Sequence, residues 1–418
     1  MRGRPLLHTS YEADQALMDS TTKRVALALF LLFLLYIPLQ GAEGLPDLIP
    51  GFDFLGDNDW LRLLSTVSIF AIGALGLNIL TGLAGQVSLG HAFFLGLGAY
   101  TAAWLGAAPG PLTGLGLPMW IWLPAAGVVA AVVGFAVGPT AVRVRGLYLA
   151  FVTLGLVFIG EYVFRNWMSL TGGSQAGRSF PDFELRVWKE EEPLVDFASD
   201  GAWFGVDLTS EAKTYYLLLI LVIAAVLVAK NIQRTRAGRA FQSIRDRDIA
   251  AEIMGVDEVK YKLLAFSISS FFAGVSGALL AAFVGQMIPE RWNLFLSVQF
   301  IAIVLIGGAG VVAGTLLGSA FVIVLPRVVE DVTAWLTDYV AEGTGAFVWL
   351  GDLIVVTSPD DWGLINISQG VGSGLSVALL NQVLYGLLLI GFLIFEPLGL
   401  YGIWLRVRNY WKGWPFTY

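Results

Sequence analysis

Asn78, Gln86, Ser88 and His91 bring amide, hydroxyl and imidazole groups into an apolar, glycine-rich stretch, residues 73–101, GALGLNILTGLAGQVSLGHAFFLGLGAYT. Gly82, Gly85 and Gly90 interrupt what would otherwise read as continuous helix. A broken helix leaves N–H and C=O groups without partners, which lipid does not tolerate but a protein-lined or water-filled path does. Two readings are open. Residues 78–91 line or gate a translocation path, or they form a tight turn between two spans that at most borders a gate. His91 is the candidate proton carrier, although a lone histidine at a helix start serves equally well to satisfy nearby backbone groups. Glu161 is an acid near the end of an apolar run and by default a functional candidate; Arg165, one turn later, offers an i, i+4 ion pair as the simpler account.

Most other chemistry is excluded. The 418 residues include no cysteine, so disulfides, thiol nucleophiles and thiolate metal sites are ruled out. His8 and His91 are the only histidines, too few for a histidine cage, and any metal would need carboxylates. No GxxxxGK[ST], GxSxG or HExxH occurs. The chain therefore has no phosphate-cradling loop or catalytic cluster of its own and is expected to bind no cofactor; nucleotide chemistry, if any, belongs to another chain. A net charge of -7 that alternates in sign along the sequence makes nucleic acid a poor partner.

The elements that must position these residues are membrane helices. Hydrophobic residues make up 56% of the chain and charged ones 14%, and the mean hydropathy is +0.73, outside the range of a soluble domain. Apolar runs at 25–39, 61–81, 89–108, 119–141, 147–165, 214–230, 262–287 and 373–395 predict spans. The first reads as an anchor rather than a cleaved signal, because no small-x-small site follows it. Residues 294–326 fit one overlong helix or two short ones hinged at Gly307, Gly308 and Gly310.

Basic residues decide between these. They gather in the amino terminus, at Arg143 and Arg145, over 230–262 and in the tail with Arg406, Arg408 and Lys412, all of which should face the cytoplasm. Acidic loops lie between them. Keeping both sets on their own sides requires two helices within 294–326, giving an all-α bundle of about ten transmembrane helices. The expected parts are a cytoplasmic amino terminus at 1–24, a membrane domain at 25–405 and a cytoplasmic tail at 406–418. Outer loops at 166–213 and 327–372 carry enough aromatic residues to be partly folded. The TGGS of residues 171–174 reads as an exposed turn.

Gly98 and Ala102, and likewise Gly310, Gly314 and Gly318, recur every fourth residue, a spacing that lets helix backbones approach closely. The loop at 231–261 is dense in both charge signs. Its stretch 240–254 predicts one short amphipathic helix stopped at Gly255, with Phe241, Ile244, Ile249 and Ile253 as a docking face or as a face lying on lipid headgroups.

Three blocks, GLNILTGLAGQVSLGHAFFLGLGAYTAA, RGLYLAFVTLGLVFIGEYVFRNWMSLTGGSQAG and AGRAFQSIRDRDIAAEIMGVDEVKYKLLAFSISSFFAGVSGALLA, resemble the larger permease subunit of bacterial branched-chain amino acid ABC importers, the LivM type. LIFEPLGLYG resembles the family's closing segment. The resemblance implies the ABC importer permease fold, set in a prokaryotic plasma membrane. It also implies a homologous second permease, two cytoplasmic ATPase subunits that bind ATP and magnesium, and an extracytoplasmic solute-binding protein. By the same resemblance, Ala250, Ala251, Glu252 and Gly255 belong to a coupling helix seated on the ATPase. Similar permeases carry urea or short amides, so the resemblance speaks more to transporter class than to solute. Residues 180–213 and 327–372 are longer and more acidic than the family leads one to expect. A secondary transporter or channel, the rival class, should show paired intramembrane carboxylates or rings of charge.

Overall fold

The computed structural model describes residues 21–40, 53–110, 112, 114–143, 147–187, 193–203, 206–342, 355–356, 365–366, 375–396 and 398–413. Arg145, nearly all of the amino terminus, most of the second outer loop and the end of the tail lie outside the described residues.

The chain is built from helices. The α-helices of six or more residues among the described residues are α1 (Thr21–Tyr36), α2 (Asn58–Leu77), α3 (His91–Gly106), α4 (Met119–Arg143), α5 (Leu147–Asn166), α6 (Ser210–Arg234), α7 (Arg236–Asp246), α8 (Asp248–Ile253) and α9 (Glu258–Val284). After these come α10 (Leu294–Gly307), α11 (Val312–Glu342), α12 (Val377–Phe395) and α13 (Gly399–Gly413). Among the described residues, seven helical segments are long and apolar enough to cross a membrane. They are built on α2, α4, α5, α6, α9, α10 and α11. Three shorter or less apolar helices, α1, α3 and α12, bring the total near the expected ten.

Helix ends follow local chemistry. Thr209, Asp257 and Asn293 cap α6, α9 and α10 by accepting the N–H of Ala212, Lys260 and Leu296. Gly285 and Gly308, both at positive φ, stop α9 and α10 where a β-carbon would be strained.

α2, α3 and α9 form the centre. A β-carbon on Gly98 of α3 would lie 2.1 Å from the Gly274 carbonyl oxygen of α9, and one on Gly277 would lie 2.0 Å from the Leu95 oxygen. The two backbones therefore touch, as the glycine spacing predicts, and Ala102 is fully buried beside them. Gly314 and Gly318 serve α11 in the same way against Gly307 and Ile303 of α10. α4 and α5 lie outside this centre, and Val132, Phe135, Phe151, Phe158 and Ile159 point away from the protein.

Four expectations need correction. Residues 294–326 do break into two helices, but the second is not short: α11 continues to Glu342, into the expected outer loop at 327–372. Apolar residues such as Val328 and Val332 extend the helical pattern past Pro326, and the ion pair from Arg327 to Asp331 spans one of its turns. Gly310 is not part of a packing stripe; with φ at +85° it lies in the turn before α11. The amphipathic stretch is two helices, not one, because Arg247 is extended between α7 and α8. The TGGS turn is not wholly exposed: Thr171 is buried, and its hydroxyl donates to the Phe164 carbonyl at 2.7 Å.

The loop at 166–213 is folded in part over its described residues, as expected. Its strand Arg178–Ser179 pairs antiparallel with Gln286–Met287, tying the loop to the end of α9. Buried Arg178 donates to the carbonyls of Ala103, at 2.8 Å, and Leu170, and burial lowers its pKa.

Candidate functional site

Residues 78–91 begin as a turn at the end of α2 and then re-enter the bundle: Asn78 meets Gly310 just beyond the end of α10, whereas the Ala92 N–H meets Ser297 near the start of that same helix. After α2 the chain makes one wide π-type turn, Asn78–Leu83, then reverses through Gly85 at φ +68° and enters α3 at His91. Neighbouring helices seal it. The Leu89 N–H donates to the Thr153 hydroxyl of α5 and the Ala92 N–H to the Ser297 hydroxyl of α10, both at 2.9 Å. Ser88 accepts from the Gly90 N–H at 3.3 Å.

This turn meets a second one. Asn78 Oδ1 accepts the Gly310 N–H at 2.7 Å, linking the π-turn to the Gly308–Val311 connection between α10 and α11. Gly82 has no room for a side chain, since a β-carbon would lie 2.2 Å from the Gly310 nitrogen. The predicted residues Asn78, Gly82 and Gly310 thus converge.

Asn78, Gln86, Ser88 and His91 are all buried. His91 hydrogen-bonds to the Gly73 backbone, and its ring centroid lies 4.8 Å from that of Phe300. Among the described residues, Asn78 Nδ2, both side-chain polar atoms of Gln86 and His91 Nε2 have no hydrogen-bond partner. An orphaned buried group costs about 1–3 kcal/mol, so such a cluster in one turn calls for an explanation. The Glu161–Arg165 pair forms at 2.7 Å, and Arg165 also reaches Glu290 at 3.2 Å, which fits the simpler account of Glu161.

The loop between α6 and α9 lies at the same end. Phe241 and Ile244 of α7 face inward and are buried, whereas Ile249, Ile253 and Met254 are open to the surface. The four apolar residues expected to make one docking face therefore divide between two surfaces, because the bend at Arg247 turns α8 away. Ala250 and Glu252 are exposed, Ala251 is buried, and Gly255 at φ +86° has open space around it.

Arg245, not singled out by the sequence, reaches from α7 to the first turn. Its Nη1 donates to the Gly82 carbonyl at 2.7 Å. Gln233, at the end of α6, donates to the Gly310 carbonyl at 3.3 Å. Both acceptors are backbone oxygens, so no opposite charge in the sequence marks them.

A family model described as the permease component of branched-chain amino acid transport systems matches residues 60–357, a range that holds both glycine turns and the loop between α6 and α9. The chain belongs to that permease family. The high-affinity branched-chain amino acid transport system permease protein LivM of Salmonella typhimurium is 32% identical over 290 residues, and that of Escherichia coli over 287. Each alignment covers 66% of this permease and 65% of the relative, so the match spans just under two thirds of either LivM. LivH of Escherichia coli, also a permease protein of that system, is 26% identical over 60% of this chain and 78% of its own. No solved structure matches. With its apolar helices, this permease is a multi-pass membrane protein.

Proposed function

We propose that this permease is one of two membrane subunits of an ATP-driven importer for branched-chain amino acids in the plasma membrane of a prokaryote. The observation that carries the reading is the family match, reinforced by likeness to two distinct permease proteins, LivM and LivH, each named for that transport. Two homologous permeases would pair across the membrane, with two ATPase subunits below and a solute-binding protein above. ATP and magnesium would bind to the ATPase subunits.

Exposed α8 fits the role of a docking helix. Ile249, Ile253 and Met254 offer an apolar surface, with Ala250 and Glu252 beside them, next to the basic residues expected in the cytoplasm. Import follows by alternating access, and only different affinities of ATP and loaded binding protein for the two states can drive it. The unpartnered groups of Asn78, Gln86 and His91 favour a path or gate at the π-turn over a plain turn.

The test is copurification of tagged protein from its native membrane, followed by solute-stimulated ATP hydrolysis and uptake of leucine, isoleucine and valine in competition with urea and short amides. ATPase subunits should copurify, leucine should compete best, and Glu252→Arg should weaken ATPase association. Competition by urea or amides alone would overturn the solute assignment. Uptake without ATPase subunits would overturn the importer reading and favour a secondary transporter or channel.

A further inference from the structure

α7 differs from α8 in what it touches. Its apolar residues are buried against the bundle, and Arg245 carries its contact with the glycine turns. The guanidinium is held from two sides: Nη1 donates to the Gly82 carbonyl at 2.7 Å, while Nε and Nη2 both donate to Asp246 Oδ1 at 3.2 Å. The aliphatic stem lies over Gly85, where a β-carbon would come within 2.7 Å of Arg245 Cγ. A β-carbon on Gly310 would come within 3.3 Å of Arg245 Nη1. One side chain therefore touches both chain reversals, the one between α2 and α3 and the one between α10 and α11. Gln233 and Asn78 complete the connection by holding the Gly310 carbonyl and N–H.

The geometry points to Arg245 as the positioning residue that links movement of the loop at 231–261 to both glycine turns, so that the fork of Arg245 sets how much solute moves per ATP hydrolysed. This rests on the importer reading above. The glycines give the mechanism room. Gly85 and Gly310 both occupy positive φ, where glycine can change conformation at little cost, and Gly82 allows the two turns to lie in backbone contact. A planar guanidinium with several donors can hold a carbonyl and a carboxylate in fixed directions, whereas an ammonium on a flexible stem cannot. The simpler alternative is that Arg245 only satisfies a carbonyl left open at the end of the π-turn. In that case its loss would change stability but not the ratio of transport to hydrolysis.

That ratio is the readout. The complete transporter, reconstituted in proteoliposomes with its binding protein, is assayed for leucine imported and phosphate released in the same vesicles. If the unaltered complex neither imports nor hydrolyses, the importer reading fails, and this is distinguishable from failure of the coupling role. Given a working complex, Arg245→Ala should lower leucine imported per ATP by roughly tenfold, within the usual range of coupling between sites. Arg245→Lys should fall between the two. Arg239→Ala, on the same helix as Arg245, removes a contact to the Arg234 carbonyl at the end of α6 and should leave the ratio unchanged. A ratio equal to that of the unaltered complex in Arg245→Ala overturns the proposal, as does a matching loss in Arg239→Ala. Should Arg245→Ala fail to assemble, Arg245→Lys decides: a reduced ratio supports the coupling role and an unchanged one overturns it.

Discussion

Replacing Gly82 with alanine puts a methyl group 2.2 Å from the Gly310 nitrogen and 2.3 Å from Asn78 Oδ1. Neither neighbour can yield cheaply. The first is backbone, and the second is engaged in the hydrogen bond that joins the two turns. Overpacking of this kind costs about 1–3 kcal/mol. Pushing Asn78 aside also leaves the Gly310 N–H without an acceptor, a further penalty of about 1–3 kcal/mol. The total is roughly 2–6 kcal/mol, concentrated at one end of the bundle. The contacts between α3 and α9 are remote from it, so the bundle should assemble while the turns separate. Asn78→Ala isolates the second contribution, because it removes the acceptor without adding a clash. Gly155→Ala, with nothing within 4 Å of its β-carbon, is the neutral reference. The assay is leucine uptake in proteoliposomes, with size-exclusion chromatography and heat inactivation as measures of assembly. Uptake should be abolished in Gly82→Ala, reduced in Asn78→Ala and unchanged in Gly155→Ala. Gly82→Ala with full uptake and an unshifted inactivation midpoint would refute the reasoning.

Two further outcomes follow from packing and charge. Gly98→Leu should prevent α3 from meeting α9 and cost at least the ~1–3 kcal/mol of ordinary overpacking, seen as loss of monodisperse protein in detergent; normal assembly would contradict the backbone contact. Burial alone would raise the Asp196 pKa, but hydrogen bonds from the Ser199 side chain and from the Ala198 and Ser199 N–H groups, with Lys213 nearby, hold it below the ordinary value. A depressed carboxylate pKa contributes stability that is complete above the unfolded value of about 3.9 and is lost as pH falls through the folded value. Protease protection of residues 193–213 should therefore stay flat from neutral pH down to about 4 and fall below it, and Asp196→Asn should remove this carboxylate's part of that loss.

Much of the fold was legible because lipid imposes simple rules. Apolar run length located the spans, and the alternation of basic and acidic segments required the break near Gly308 that the structure contains. Glycine spacing found the α3–α9 contact, since close backbone approach needs small residues in register. The end of α11 was not legible, because charged and aromatic residues after Arg327 look like a loop while still suiting an exposed helix. The split between α7 and α8 depends on one extended residue, Arg247, whose type does not demand that conformation. Arg245 and Arg178 were missed for a shared reason. Both answer backbone carbonyls, which every residue carries, and although Asp246 beside Arg245 offers it a carboxylate, nothing in the sequence points either side chain at a distant turn.

The contact between Gly98 and the Gly274 backbone also has a mechanical meaning. Two helices whose main chains touch have little room to move closer or to rotate a larger side chain between them, so α3 and α9 form a tightly packed pair through the middle of the bundle. Compliance must then reside elsewhere, and the two glycine reversals at its end are where the chain can bend. On the proposed coupling role, a load applied to the loop at 231–261 would pass through Arg245 to the reversals at Gly82 and Gly310.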